Sequence, residues 1–156
     1  MKIAVVSDSH DNTEKIKNFV KEVNRLNIET IIHCGDIISP FSATLFKKAN
    51  SEFIAIFGNN DGETAGLLKK FHEIKKPPIE IELYGKSFAI MHEPILIEKI
   101  TGKVDYILYG HTHSLEIKQI NGTTIINPGE LCGYITEKST FVILNPVTGE
   151  TKIMEI

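Results

Sequence analysis

Two histidines separated by one residue close the segment Gly110-His111-Thr112-His113, which follows the strand-like stretch Asp105–Tyr109. Four other segments share this layout, with ligand-type side chains just after an apolar run: Asp8-Ser9-His10, Gly35-Asp36, Gly58-Asn59-Asn60-Asp61 and Met91-His92. Their donor atoms are carboxylate oxygen, amide oxygen and imidazole nitrogen, with no thiolate pair. That mixture suits hydrolytic metal ions handling an oxyanion better than it suits a structural zinc knot. Asp8, His10, Asp36, Asn59, His92, His111 and His113 are the candidate ligands. Two ions take about four protein ligands each, and seven groups supply that number when one carboxylate bridges. Ions about 4 Å apart would hold a hydroxide between them at neutral pH and clamp phosphoryl oxygens. Taken singly, each segment has a plainer reading. Asp8 or Asp36 alone is a cap or turn former, Gly58–Gly62 alone is a turn, and His92 alone is a satisfied histidine. The five segments in order carry the metal reading. His33 and His72 lie outside the pattern, and Cys34 reads as a buried thiol.

The elements that must position these groups follow from periodicity. Ile3–Val6 is a continuous apolar run, expected as a strand buried on both faces. Ile16, Phe19, Val20, Val23 and Leu26 fall on one helical face over Asn12–Leu26, with Asp11 or Asn12 as cap. Strands are expected at Thr30–His33 and Phe53–Phe57. Short helices are expected over Ser42–Lys48, opened by Ser39-Pro40, and over Leu67–Ile74, stopped by Pro77-Pro78. The second half is rich in hairpins. Ile79–Leu83 and Ser87–Met91 flank Tyr84-Gly85-Lys86, and Leu115–Ile120 and Thr123–Ile126 flank Asn121-Gly122. Phe141–Leu144 and Lys152–Ile156 flank Pro146–Gly149. Ile95–Ile100 is a short helix candidate. Two sheets packed face to face with helices outside would bury both halves. Asp8, Asp36, Asn59, His92 and His111 would then all lie beyond the carboxyl ends of strands, where distant segments meet.

The 156 residues are read as one domain, 1–156, long enough to bury a core without staples. With a net charge of −3 and no obvious basic face, sequence-independent nucleic-acid binding is not expected. Arg25 is the only arginine, which argues against a guanidinium clamp on phosphate. Two distant cysteines make no disulfide framework. The four apolar residues after Lys2 are too few for a signal peptide, and no stretch is long enough for a membrane span, so a cytoplasmic location is expected.

In these blocks the chain resembles the calcineurin-like metallophosphoesterases, whose motifs run D-x-H, G-D, G-N-x-D/E, H and G-H-x-H. The short length, Asn60, and the Asn127-Pro128-Gly129-Glu130 turn look most like the small phosphodiesterases of the YfcE type. The resemblance implies an α/β fold, a four-layer α/β/β/α sandwich, and a site for two divalent metals. Manganese or nickel is expected first, with iron, zinc, cobalt or magnesium as the alternatives. Carried over by position, Asp8, His10, Asp36 and His113 would hold one metal. Asp36 would bridge to the second, held with Asn59, His92 and His111. Asn59 would also bind a phosphoryl oxygen, and Asn59, Asp36 and His10 would carry catalysis.

Two departures bear on the substrate side. Many relatives place a leaving-group acid where this chain has Asn60, and read H-G-H where it has His92-Glu93-Pro94. An amide cannot act as that acid. The expectation is slower turnover of unactivated esters, with metals retained and Glu93 reshaping the substrate side. Asp61 is expected either to orient a ligating histidine or to cap its turn. The implied activity is hydrolysis of a small phosphodiester by a metal-bridged hydroxide. A phosphomonoesterase is the alternative within enzymes, and a non-catalytic scaffold, as in the retromer subunit of this fold, is the alternative outside them. Self-association among small relatives points to a homodimer.

Overall fold

Ile3–Val6 forms β1, and all four of its residues are buried. The computed structural model describes residues 1–156. Thr30–His33 forms β2 and Glu52–Ala55 forms β3, parallel to one another and to β1. Between β1 and β2 runs α1, Thr13–Arg25, which turns Ile16, Phe19, Val20 and Val23 into the core. Asn12 is its cap, accepting the amide hydrogen of Lys15 at 3.2 Å. Asp11 instead reaches Ser39 and Ser42, fastening the loop after β1 to α2, Pro40–Ala43.

The expected helix over Ser42–Lys48 is broken. α2 ends at Ala43, and a separate 3₁₀ turn covers Phe46–Lys48. Next comes α3, which runs Thr64–Lys70 and stops short of Ile74. The backbone of Lys75 explains that stop. It bonds to Ala55 and Phe57, extending the edge beyond β3.

β4, Ile79–Leu83, and β5, Lys86–Ile90, form the first hairpin around Tyr84-Gly85. Both turn residues have positive φ, as a two-residue turn of this kind requires. The one-turn helix α4, Ile97–Ile100, leads to β6, Tyr106–Leu108. β7, Leu115–Ile120, and β8, Thr123–Pro128, pair across Asn121-Gly122. β9, Thr140–Leu144, and β10, Thr151–Glu155, form the last hairpin. That hairpin returns to the first sheet, where β9 lies antiparallel to β1.

The sheets therefore read β10-β9-β1-β2-β3 and β4-β5-β6-β8-β7. They meet through Ile3, Val5 and Ile32 of the first and Phe88, Ile90, Leu108 and Ile126 of the second. Helix α1 and its neighbours cover the outer face of the first sheet. On the second sheet, Ala89, Ile107 and Ile125 are covered by Leu96, Ile97 and Ile100, so the fourth layer is little more than α4. This is the α/β/β/α sandwich with one thin outer layer. Each sheet contains three mutually parallel strands, β1-β2-β3 and β5-β6-β8. No helix is long and apolar enough to cross a membrane.

Candidate metal centre

Six parallel strands end at one edge of the sandwich, and the chemistry lies just beyond them. β1 runs into Asp8 and His10, β2 into Asp36, and β3 into Asn59. β5 runs into His92, β6 into His111 and His113, and β8 into Glu130. The backbone turns sharply there. Asp8, His10, Asp36, His111 and His113 all have positive φ, between 38° and 66°. Such conformations cost energy for residues with side chains and persist where the surroundings impose them. Here the loops impose them on one another. The Asp8 amide donates to Gly35 O at 3.0 Å, those of Ser9 and His10 donate to Asp36 O, and Cys132 N donates to Asp8 O. The close approach also explains two glycines. A Cβ on Gly58 would enter the Asp36 carboxylate, and one on Gly110 would strike Ser7 Oγ.

The seven candidate ligands converge in two overlapping groups. In the first, His10 Nε2 lies 3.7 Å from Asp8 Oδ1, and His113 Nε2 lies 3.4 Å from the same oxygen. In the second, His92 Nε2 is 3.4 Å from Asp36 Oδ2 and 2.8 Å from Asn59 Oδ1. His111 Nδ1 is 2.9 Å from that same amide oxygen. Asp36 Oδ2 joins the groups, because His10 Nε2 also lies 3.4 Å from it.

Two imidazoles have their tautomers set by neighbours that only accept. His92 Nδ1–H donates to Cys34 O at 2.8 Å, and His113 Nδ1–H donates to the Glu130 carboxylate at 2.7 Å. In each neutral ring the lone pair is then on Nε2 and faces the carboxylate cluster.

The donor set fits divalent cations. Asp8 and Asp36 are almost fully buried, and their only ion-pair partners are histidines. Buried charges of this kind are normally paired or coordinate metal. Asp8 Oδ1 and His10 Nε2 are buried atoms with no hydrogen-bond partner. Asp8, His10 and His113 form one ligand cluster, and Asp8, Asp36 and His92 form another. The electrostatics agree. Burial opposes charge on Asp36, but the adjacent His92 ring and the two hydrogen bonds from Asn60 outweigh it and hold the carboxyl well below its usual range. The neighbouring Asp8 carboxylate raises the pKa of His10 against burial. For His92, burial lowers it, but the adjacent Asp36 carboxylate outweighs burial and the pKa ends raised.

Around the candidate ligands, three residues have distinct places. Asn60 donates its amide hydrogen to Asp36 Oδ1 at 2.8 Å and its side-chain Nδ2–H to Oδ2 at 2.7 Å. Asp61 holds no imidazole. It accepts amide hydrogens from Asp36, Ile38 and Gly58, so it clasps the Asp36 loop to the third block. The Asp61 side chain turns back into its own loop, and carbonyl Cys34 and Glu130 take the histidine-orienting positions. Glu93 is exposed beside His92.

In sequence, Glu130 stands out only as the end of the Asn127-Pro128-Gly129-Glu130 turn. It is fully buried and also accepts from Cys132 Sγ, the amides of Tyr134, Ile135 and Thr136, and Thr136 Oγ1. Burial raises its pKa, but this set of donors prevails and holds it down at about 2. A lone acid between Pro-Gly and Leu-Cys was the available signal.

The calcineurin-like phosphoesterase superfamily domain matches residues 1–149. The chain belongs to this family. It is 37% identical over 154 residues to phosphodiesterase MJ0936 of Methanocaldococcus jannaschii, covering 93% of both chains. A solved archaeal phosphodiesterase superposes with a TM-score of 0.91 at 34% identity, covering both chains completely. YfcE, a phosphoesterase from E. coli, shares the fold with a TM-score of 0.75 at 17% identity, over all of this chain and 98% of the other. The family supplies the expectation of divalent metal, and the clustered donors are the residues able to meet it.

Proposed function

We propose that the protein is a phosphodiesterase that uses two divalent cations, manganese or nickel first among those its mixed nitrogen and oxygen donors admit. One observation carries the reading. Asp36 Oδ2 stands 3.4 Å from both His10 Nε2, delivered by the first sheet, and His92 Nε2, delivered by the second. A single carboxylate is thus shared by two donor sets. Asp8, His10, Asp36 and His113 would hold one cation, and Asp36, Asn59, His92 and His111 the other. When bound, the cations supply Lewis acidity, lowering the pKa of water and drawing charge from the phosphoryl oxygens.

The chain's own groups do the positioning. Asn60 keeps Asp36 ionised by donating to both of its oxygens. Asn59 turns Oδ1 toward two histidines, which leaves its Nδ2 hydrogens to bind a phosphoryl oxygen. Glu130 and Cys34 O hold the rings of His113 and His92 in register. The only arginine, Arg25, is paired with Glu22 on α1, so no guanidinium fork serves a dianionic monoester. That favours a monoanionic diester, as does the phosphodiesterase relative. A small diester in the cytoplasm is the substrate this reading implies.

The test uses protein stripped with chelator and reloaded with Mn²⁺, Ni²⁺ or Co²⁺. Bis-p-nitrophenyl phosphate and p-nitrophenyl phosphate are compared on one preparation. Faster diester turnover that depends on metal is expected. No diester hydrolysis with any of the three ions rejects the proposal, and a faster monoester rate replaces it with a phosphomonoesterase.

A further inference from the structure

A pocket of about 230 Å³ opens directly beside the second donor set, with Asn59 and His92 in its lining. Its other walls are mostly apolar. Phe57 and Met91 are buried, while Pro77, Pro78 and Ile95 are exposed, with Ile95 at 69%. The segments come from four places in the fold: the end of β3, the lead into β4, the end of β5 and the approach to α4. Its one ionisable side chain besides His92 is Glu93, an exposed carboxylate that forms no ion pair. No lysine or arginine lines it.

We propose that this pocket receives one ester arm of the substrate, and that the arm is a flat, apolar ring without negative charge. The inference rests on the phosphodiesterase reading above. Continuity is the first reason. Asn59 and His92 belong to both the pocket and the donor cluster, so a phosphorus held at the cluster projects a substituent into the pocket. Size is the second. A cavity of about 150 Å³ with apolar walls accommodates benzene, so 230 Å³ takes one ring with room for its linkage. Chemistry is the third. Proline and isoleucine faces favour a flat apolar group, and specificity in such pockets comes from a few placed polar groups. Glu93 is that group here. Its charge opposes a second phosphate or a carboxylate on the arm and accepts a hydrogen bond from an N–H or O–H at the ring edge.

The test is inhibition of bis-p-nitrophenyl phosphate hydrolysis by three monoanionic or dianionic phosphonate esters, using Mn²⁺-loaded protein. The probes are methyl methylphosphonate, phenyl methylphosphonate and 4-carboxyphenyl methylphosphonate. The phenyl ester should inhibit about tenfold more tightly than the methyl one, as expected for burial of a ring. Ile95→Trp, which fills the pocket from an exposed position, should erase that preference while metal content and the circular dichroism spectrum stay those of wild type. The carboxyphenyl ester should bind more weakly than the phenyl ester to wild type, and Glu93→Lys should reverse their order. Equal inhibition by phenyl and methyl esters, or a phenyl preference that survives Ile95→Trp, overturns the subsite while leaving the phosphodiesterase reading intact. An order of the two aryl esters unchanged in Glu93→Lys overturns the charge selection. Absence of any diester hydrolysis rejects the underlying reading and the subsite with it.

Discussion

Glu130 Oε2 stands 2.7 Å from Nδ1 of His113, and both residues lie at the ends of parallel strands in the second sheet. The carboxylate fixes which nitrogen of the ring carries hydrogen, and so turns Nε2 toward Asp8. Partners of this kind commonly change metal affinity by about 10–100-fold when altered. Glu130→Gln can present an N–H to Nδ1, which favours the wrong tautomer. We expect metal affinity at the Asp8 side to fall by about that factor, read by competition with a colorimetric chelator. Glu130 also accepts three backbone amide hydrogens, so thermal unfolding of the metal-free variant should fall as well. Unchanged metal affinity would assign Glu130 to loop structure alone.

Asp36 sits where the two donor sets overlap, so its removal should cost more than one ligand. Asp36→Asn keeps the shape but removes the charge that a shared position needs. It also turns an N–H toward one of Asn60's two donors. Metal analysis should find fewer ions per chain, and diester turnover should drop to background. A variant retaining two ions per chain and substantial turnover would show that the bridge lies elsewhere.

Gly110 offers a different kind of test, because no ligand is touched. Alanine there would drive its Cβ into Ser7 Oγ and toward Asp8 Oδ2, 2.7 Å away. The His111 amide, which donates to Asp8 Oδ2 at 3.0 Å, would be displaced with it. Gly110→Ala should lower turnover by about 10²-fold, the scale of an ångström-level misplacement near a reacting centre. The measurement is kcat on fully metal-loaded protein, so that weak loading is separated from misplacement.

The five ligand segments were legible because each follows an apolar run that reads directly as a buried strand. The sixth was not. β8 announced itself through Asn121-Gly122 as half of a hairpin, and nothing local says that it also lies parallel to β6 and ends at the site. Glu130 therefore looked like a turn residue, since its partner His113 lies 17 positions away. For Asp61 the sequence leaves two roles open, and the structure selects the turn-capping one. Its side chain satisfies amides of its own and a neighbouring loop, and tight turns expose such amides without any mark in the sequence. The helix over Ser42–Lys48 broke because hydrophobic spacing cannot show where tertiary bonds take the backbone. The last hairpin's return to the first sheet was equally hidden, being a pairing of β9 with β1 across the whole chain.

His33, set aside in the sequence, connects two ligand loops. Gly35 N–H donates to its Nδ1 at 3.2 Å, so Nε2 carries the hydrogen and donates to Ser9 Oγ at 3.1 Å. Burial drives its pKa down to about 3. In the unfolded chain an ordinary imidazole takes up a proton below about 6.5, so the unfolded state binds more protons between those values. Stability of metal-free protein should therefore decline as pH falls from about 6.5 toward 3, by up to about 1.4 kcal/mol per unit. Urea midpoints between pH 6.5 and 4.5 give the slope before most carboxylates titrate. His33→Gln, which can still bond Ser9, should flatten it. The same slope in both proteins would place the acid sensitivity elsewhere.

Asn60 bears on the leaving group. It donates to both oxygens of Asp36 and has no proton to give as an acid. The rate should then depend steeply on the acidity of the departing alcohol or phenol. A series of methyl aryl phosphates with graded phenol pKa values would measure it. Asn60→His places a titratable ring at the same edge, where an imidazole near neutral pH is suited to general acid catalysis. The gain should be confined to poor leaving groups, about 10-fold or more for unsubstituted phenol against little change for p-nitrophenol. It should also disappear as pH rises above the imidazole range. A uniform effect across the series would mean that position 60 serves Asp36 alone.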